Sequence, residues 1–517
     1  MRFEPAEQQS DQVPCLTACI CPAFSLIISG KDAADSFTFG ILLYDPAPYL
    51  LLFREAFADD NLPEALPGEP PGVFRVYYLH YADENARGTA AAEQTEILVS
   101  MQKMQGGKKL KVLLVNKFHY IKGGSETYYF SLGDLLEKRG HQVIWFSMKD
   151  GRNLPCAQSK YFVNHVDFNA SGNPAKTAGA ALHLLYSREA GRKFARLLDD
   201  EKPDIIHLNI FQSQLTGAVV EEAYKRHVPV VYTAHDLKSV CPNYLMMHHQ
   251  KTCEKCLDGH YWHCFMNCCM KNSRAKSMLA SLESYVYKIR KIYQKIDYVI
   301  TPSLFYKKKL EAADIFRCPI EHVRNFLPAG TAYEGGNRGK YFLYFGRLSR
   351  EKGIRTLIEA FSKAQVGEKL YIAGSGPEEE QLRMMVKSLG MEDRVLFLGF
   401  RAGTELKEIV ANALCVCLPS EWYENGPYSI LEAQALGRPA IVSDYGGLPE
   451  LVEDGKTGFI TRAGNVLDLA EKIREMSHSQ MDSDYISAKA FRSYSADQYA
   501  EYIVGIYGKL IAGRTDL

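Results

Sequence analysis

From Leu110 onward one rhythm occurs twice: short unbroken apolar runs alternate with amphipathic stretches of helical length. A strand buried on both faces needs such a run, and a parallel sheet needs a helix between strands to bring the chain back. The first set of predicted strands is "KVLLVN" from Lys111, "HQVIWFS" from His141, "DIIHLN" from Asp204, "VPVVYTA" from Val228 and "DYVITPS" from Asp297. The second is "YFLYFG" from Tyr341, "KLYIAG" from Lys369, "RVLFLGF" from Arg394, "CVCLPS" from Cys415 and "PAIVSD" from Pro439. Helices are expected over residues 125–138 and 214–226, with a last one over residues 496–510 that could fold back across the domain junction. The fold class is therefore α/β: two doubly wound, Rossmann-like domains in series, facing one another across a cleft.

The predicted boundaries are an N-terminal extension of unassigned role over residues 1–105, a first domain over 106–330, a second over 331–495 and a closing helical segment over 496–517. Residues 1–100 hold five basic and fifteen acidic side chains in a chain whose totals balance at 61 and 61, so a differently composed piece precedes the two domains. Met101 and Met104 stand just before "GGKKLKVLLVN", and an alternative is that the functional protein begins there. Domain closure is expected about a linker near residues 330–339. A zero formal charge gives no electrostatic case for a nucleic-acid partner. The apolar stretch near the N-terminus is broken by Pro22 and preceded by Glu4, Glu7 and Asp11, unlike a signal peptide, so a cytoplasmic chain is expected.

In open α/β sheets ligands bind beyond the carboxyl ends of strands, where loops and helix N-termini converge. Three loops of this kind carry chemistry. The first strand runs into "NKFHYIKGGSET", where Gly123 and Gly124 precede a helix that Ser125 can cap; a tight turn without a ligand is the plain alternative. "YFLYFG" leads into "RLSREKG", placing Arg347 and Lys352 where a guanidinium and an ammonium would neutralise a diphosphate, against the alternative of a solvated basic loop. "GSGP", with Gly374 and Gly376, offers another close backbone approach. In "PSEWYENGPYSILEAQALGRP", Glu424 lies in a loop and Glu432 follows eight residues later in a helix. Asn425, Gly426, Pro427, Tyr428 and Ser429 stand at its N-terminal end. Two carboxylates so placed are acceptors for hydroxyl groups while the helix N-terminus takes a phosphate.

"GGSE", "TAHD", "YFGRLSREKG", "GSGP", "LGF" and "ENGPYSILEAQALGRPAIVSDYGGLPELVEDGKTGF" together resemble the retaining glycosyltransferases of family 4, which have the GT-B fold, over roughly residues 108–512. The resemblance implies that Glu424 contacts the donor sugar and Glu432 the ribose of its nucleotide. It implies that Arg347 and Lys352 bind the donor diphosphate and stabilise the departing charge, that His235 of "TAHD" lies near the donor sugar, and that Gly123 and Gly124 line the cleft from the acceptor side. For His235 a structural role remains the alternative. No metal is implied for catalysis. The expected substrates are a UDP- or GDP-linked sugar and a glycan or lipid-linked acceptor in cell-surface polysaccharide synthesis. Where many relatives have Gly-Phe-Gly after the first Glu, this chain has Gly426-Pro427-Tyr428 preceded by Asn425. A phosphorylase on the same fold and a non-catalytic nucleotide- or metal-binding interaction protein are the rival readings.

Six of the thirteen cysteines fall within residues 241–269. Cys253 and Cys256 form a C-x2-C pair, and Cys264 with Cys268 or Cys269 a second, which suits a structural zinc ion; reduced thiols without metal and redox chemistry are the alternatives. After them Lys288, Arg290, Lys291 and Lys295 interleave with Tyr and Ile on a predicted helix. Such a surface suits peripheral contact with the cytoplasmic membrane face, and equally an ordinary core-facing helix with a solvated back.

Overall fold

The structure, a computed structural model, describes residues 16–21, 24–30, 37–43, 49–54 and 75–80, and then 109–167, 174–249, 251–328, 331 and 339–515. It divides into two compact units, Met1–Glu96 and Ile97–Leu517. The first unit contains five strands, Leu16–Cys21, Phe24–Gly30, Phe37–Leu43, Tyr49–Arg54 and Arg75–His80, paired antiparallel in chain order as a meander. Met101, Met104 and nearly all of the linker expected near residues 330–339 lie outside the described residues.

The second unit contains two six-stranded parallel sheets. In the first, the strands lie edge to edge as Ile320–His322, Tyr298–Thr301, Val230–Thr233, Ile205–Leu208, Lys111–Val115 and Gln142–Phe146. Alternate side chains of Lys111–Val115 face opposite layers, as the strand period of two requires. Leu113 and Val115 pack with Phe194, Leu197 and Val219 of the helices Arg188–Glu201 and Ala218–Lys225. Val112 and Leu114 pack with Tyr128, Leu132 and Leu136 of the helix Gly124–Lys138 and with Tyr499, Ile503 and Tyr507 of the last helix, Ala496–Thr515. The final helix is thus part of the first domain's core.

A polar seam joins that helix to the sheet. Tyr128 Oη meets Tyr499 Oη, His207 Nδ1 lies 2.6 Å from Tyr507 Oη, and His207 Nε2 lies 2.7 Å from Thr233 Oγ1. Burial pushes the His207 pKa down to about 3, so the ring is neutral.

The second domain's sheet runs Val395–Gly399, Lys369–Ala373, Tyr341–Phe345, Cys415–Leu418, Ala440–Ser443 and Gly458–Thr461. In chain order this is 3-2-1-4-5-6, the doubly wound arrangement whose direction reverses between the first and fourth strands. The first domain reverses between Lys111–Val115 and Ile205–Leu208. These two switch points locate the places where ligands bind.

All ten predicted strands are present, and two more, Ile320–His322 and Gly458–Thr461, complete the sheets. Two local expectations are corrected. The helix expected over residues 214–226 begins at Ala218, because Thr216 has a positive φ of 61° and Gly217 takes the cap position. Ser125 does not cap its helix: the helix starts one residue earlier, with Gly123 at the cap, and Ser125 Oγ donates to Glu126 Oε1 at 3.0 Å instead.

Candidate active site

The loop that leaves Tyr341–Phe345 carries Arg347 and Lys352, and the loop that leaves Cys415–Leu418 carries Glu424. These are the two strands on either side of the second domain's switch point. Lys352 Nζ donates to Glu424 Oε1 at 2.6 Å, and Ser420 Oγ donates to the same oxygen at 2.6 Å. Glu424 is buried, and its Oε2 takes no hydrogen bond from any described residue. The Lys352 ammonium also lies 5.3 Å from the Trp422 ring centroid, a cation–π distance. The Glu424 carbonyl accepts from Gly447 N at 2.7 Å, so the carboxylate is held from both its backbone and its side chain.

Arg347 is exposed and makes no hydrogen bond or ion pair through its guanidinium among the described residues. Its charge reaches across to the first domain. Burial, with Arg152 and Arg347 adding to it, lowers the Lys122 pKa; burial raises that of Tyr244, and Arg347 opposes the rise. Lys122 immediately precedes Gly123 on the loop leaving Lys111–Val115, so cations from both domains face one space.

Gly374 and Gly376 support the Arg347 loop. A Cβ on Gly374 would stand 1.9 Å from the Gly346 carbonyl oxygen, and one on Gly376 would stand 2.2 Å from that of Leu348. Gly374 also has a φ of +142°, which side-chain-bearing residues rarely adopt. Gly346 N bonds to Ala373 O at 3.0 Å and Leu348 N to Ser375 O at 2.9 Å, fixing the two loops edge to edge.

Glu432 lies one turn inside the helix Tyr428–Ala435 and, among the described residues, its carboxylate has no hydrogen-bond or ion-pair partner. Burial raises its pKa to about 7. The helix starts after Pro427 with no side-chain cap; Ile430 N bonds to Pro427 O at 3.1 Å, which leaves the Tyr428 and Ser429 N–H groups for an anion. Tyr428 turns the other way. Its ring is buried in the first domain's core with Tyr128, Phe326 and Tyr499, 3.5 Å from where a Cβ on Gly124 would stand. Ser429 is half-buried in the same first turn.

Asn425 and Gly426 tie this loop to the first domain. Asn425 Nδ2 donates to Ala234 O at 2.7 Å, Ser303 Oγ donates to Asn425 Oδ1 at 2.8 Å, and Asn325 Nδ2 donates to Gly426 O at 2.9 Å. Ala234 directly precedes His235, so the "ENGPY" and "TAHD" segments are brought side by side. His235 Nε2 lies 2.8 Å from Asn209 Oδ1, so Nε2 carries the proton and Nδ1 is left as an acceptor. Burial lowers the His235 pKa to about 3, and its ring meets that of Tyr128 edge-on at 4.8 Å.

Sequence reasoning singled out His235 but missed its neighbours. Asn209 follows the strand Ile205–Leu208 at the first domain's switch point, and Asp236, whose carboxyl burial raises, adjoins His235. Lys122 adjoins the glycine pair. All three stand just beyond a strand's carboxyl end or next to a recognised motif, which is the signal that would have found them.

The cysteine-rich segment touches this constellation at one point: Tyr423, next to Glu424, donates through its Oη to Glu254 Oε1 at 2.9 Å. Cys256 and Cys264 are buried with Tyr261 in a small cluster against which Cys269, Met270 and Tyr285 pack. Cys253 and Cys268 are half-buried, and all are free thiols. Among the described residues no three His, Cys, Asp or Glu side chains converge so as to hold a metal ion.

Two Rossmann-like domains that close on a cleft lined by a free guanidinium, a Lys–Glu pair, a second carboxylate and an uncapped helix N-terminus define the GT-B class. The family models described as "Glycosyltransferase Family 4" and "Glycosyl transferases group 1" match residues 122–329 and 334–496, together well over half of the chain. The chain belongs to the group 1, family 4 glycosyltransferases. An uncharacterized glycosyltransferase of Methanocaldococcus jannaschii is 34% identical over 174 residues, 32% of this chain and 44% of the relative. The amylovoran biosynthesis glycosyltransferase AmsK of Erwinia amylovora is 32% identical over 148 residues, 27% and 36%. The chain thus spans less than half the length of these curated relatives. In fold it is similar to Anabaena HepE, solved in complex with UDP and glucose, with a TM-score of 0.55 at 18% identity over 77% of this chain and 100% of that one.

Proposed function

We propose that this protein transfers a sugar from a nucleoside diphosphate sugar, UDP- or GDP-linked, to a glycan or lipid-linked acceptor, with retention at the anomeric carbon, in the synthesis of a cell-surface polysaccharide. The observation that carries the reading is the meeting of Arg347, the Lys352–Glu424 pair, Glu432 and the open helix N-terminus at one switch point. The relatives' names support it: AmsK is named for amylovoran biosynthesis, and HepE was solved with UDP and glucose.

The residues divide the work by charge. Arg347 and Lys352 take the diphosphate and stabilise the negative charge that grows as the bond from the anomeric carbon to the leaving phosphate oxygen breaks. The first-turn N–H groups of Tyr428–Ala435 add to that field. Glu424 Oε2 accepts from a hydroxyl of the donor sugar, and ionised Glu432 accepts from the ribose. The acceptor hydroxyl forms the new bond from the same face, and its proton passes to the leaving phosphate oxygen. His235, neutral and oriented by Asn209, offers Nδ1 to the sugar.

A cytoplasmic setting belongs to the same proposal. Ten described cysteines are free, as in a reducing compartment, and no helix among the described residues is long and apolar enough to cross a membrane. The non-catalytic rival is disfavoured by the retention of every charged group the chemistry needs.

The test is calorimetric titration with UDP, GDP and their common sugar conjugates, repeated on Arg347→Ala and Glu432→Ala. Selective binding by one nucleotide series, weakened in both variants, is expected. Binding undiminished by both substitutions, or none by the folded wild-type protein, overturns the reading.

A further inference from the structure

The helix Arg274–Ile289 buries one side and leaves a stripe of large apolar groups on the other. Met278, Leu282 and Ile289 are 49%, 44% and 77% exposed. At about 100° per residue they fall within roughly 40° of one another. Ser277, Ala280, Ser284 and Tyr287 are the buried side. The short helix Trp262–Met266 packs alongside: Ser281 Oγ donates to Tyr261 O at 2.8 Å, and Tyr285 Oη accepts from Trp262 N at 3.3 Å. It adds Trp262 at 46% and Met266 at 61% exposure.

The charge around this face has one sign. Between Asp258 and Asp297 the sequence has seven Lys and Arg residues and one acid, Glu283. Glu283 is buried and paired with Lys238 at 2.8 Å, so it does not offset the surface cations. Arg290 and Lys295 pair with Glu221. Lys271, Arg274, Lys288 and Lys291 pair with no acid among the described residues, and all four are exposed. Exposed Trp, Met, Leu and Ile ringed by unpaired cations is the chemistry of a helix lying in the headgroup region of an anionic membrane, apolar face down and cations at the phosphates. A face meant for water would not concentrate five such apolar groups, and a second copy of the chain would set like charges against each other.

We propose that this face, the exposed stripe of Arg274–Ile289 together with Trp262 and Met266, is a docking surface for an anionic lipid bilayer. The stripe inserts into the interface while Lys271, Arg274, Lys288 and Lys291 meet lipid phosphates. None of these residues belongs to the candidate active site. The inference therefore stands on the surface alone; vesicle binding without turnover, or turnover without vesicle binding, separates it from the glycosyl-transfer reading.

The experiment is co-sedimentation of the full chain with vesicles of phosphatidylcholine alone or with roughly one third phosphatidylglycerol, at low and high salt. Binding to the anionic vesicles only, weakened by salt, is expected. It should fall about tenfold or more in Met278→Ser/Leu282→Ser/Ile289→Ser and in Arg274→Glu/Lys291→Glu. The second variant changes only exposed side chains, so it decides the matter if the first fails to fold. Trp262 emission should shift to the blue on binding and lose that shift in Trp262→Phe. No binding to anionic vesicles, or binding unchanged in the folded variants, overturns the proposal. So does self-association in sedimentation equilibrium that the triple Ser variant abolishes, because the stripe is then closed by a second copy.

Discussion

Lys352 Nζ and Glu424 Oε1, 72 residues apart in sequence, lie 2.6 Å apart on the two loops that flank the second domain's switch point. Each group needs the other before any ligand arrives. The carboxylate is buried, and removing its ammonium leaves Ser420 as its sole remaining donor among the described residues. Lys352→Ala is therefore expected to lower stability by about 2 kcal/mol and kcat by roughly a hundredfold or more. Thermal melts and initial rates measure both, and Lys352→Arg should recover more of the stability than of the rate, since a planar fork replaces a point charge.

Glu432 titrates near neutrality. Its folded pKa is raised by burial to about 7, above the ordinary 4.5, so the folded chain holds a proton that the unfolded chain releases across that window. Stability from this group is full below about 4.5, falls as pH rises towards 7 and is flat above. Glu432→Gln should accordingly stabilise the protein at pH 8 relative to wild type and not at pH 4. Donor affinity should move oppositely: a nucleoside diphosphate sugar, whose phosphates do not titrate here, should bind several-fold more tightly at pH 8 than at pH 6. The Gln variant should lose that dependence. Calorimetry across pH checks it.

Gly374 tests whether the Arg347 loop is held by its neighbour. A methyl group there meets the Gly346 carbonyl at 1.9 Å and requires a φ of +142°. Gly374→Ala should destabilise the second domain by about 3 kcal/mol and weaken diphosphate binding. Ala at Gly367, where an added Cβ meets nothing within 4 Å, is the control expected to leave both nearly unchanged.

Three histidines should stay neutral in acid. His119 is lowered to about 4 and both His207 and His235 to about 3, each by burial. Their ¹⁵N shifts should report neutral rings at pH 5, and the pH–rate profile should show no limb near 6.5 from His235. The unfolded chain takes up protons on these rings below about 6.5 while the folded chain does not, so their contribution to stability is lost as pH falls from 6.5 towards 4.

Much of the fold was legible because parallel strands buried on both faces are unbroken apolar runs. Val112 to Val115 are wholly buried and read as such. Ile320–His322 escaped because it is a three-residue edge strand of half-buried residues, two of them polar. Gly458–Thr461 escaped because it is short and glycine-led. At the site, Arg347, Lys352, Glu424 and Glu432 were legible from short local motifs. What those motifs could not carry was partnership. Asn425 was placed only at the N-terminal end of the Glu432 helix, yet its side chain reaches Ala234, 191 residues away. Gly374 and Gly376 were read as an approach to a ligand, and the atoms nearest their missing side chains belong to Gly346 and Leu348. Tyr428 was read with the donor loop, and its ring is buried against the opposite domain. Each depends on two distant segments arriving together, which no local pattern encodes.

The helix Ala496–Thr515 has a bearing on synthesis. Tyr499, Ile503 and Tyr507 fill one layer of the first domain's core, opposite Val112, Leu114 and Tyr128. A chain leaving the ribosome therefore holds every strand and helix of its second domain before it holds the last piece of its first. The second domain is the half that can finish during translation, while the first waits with an apolar layer open until this helix emerges.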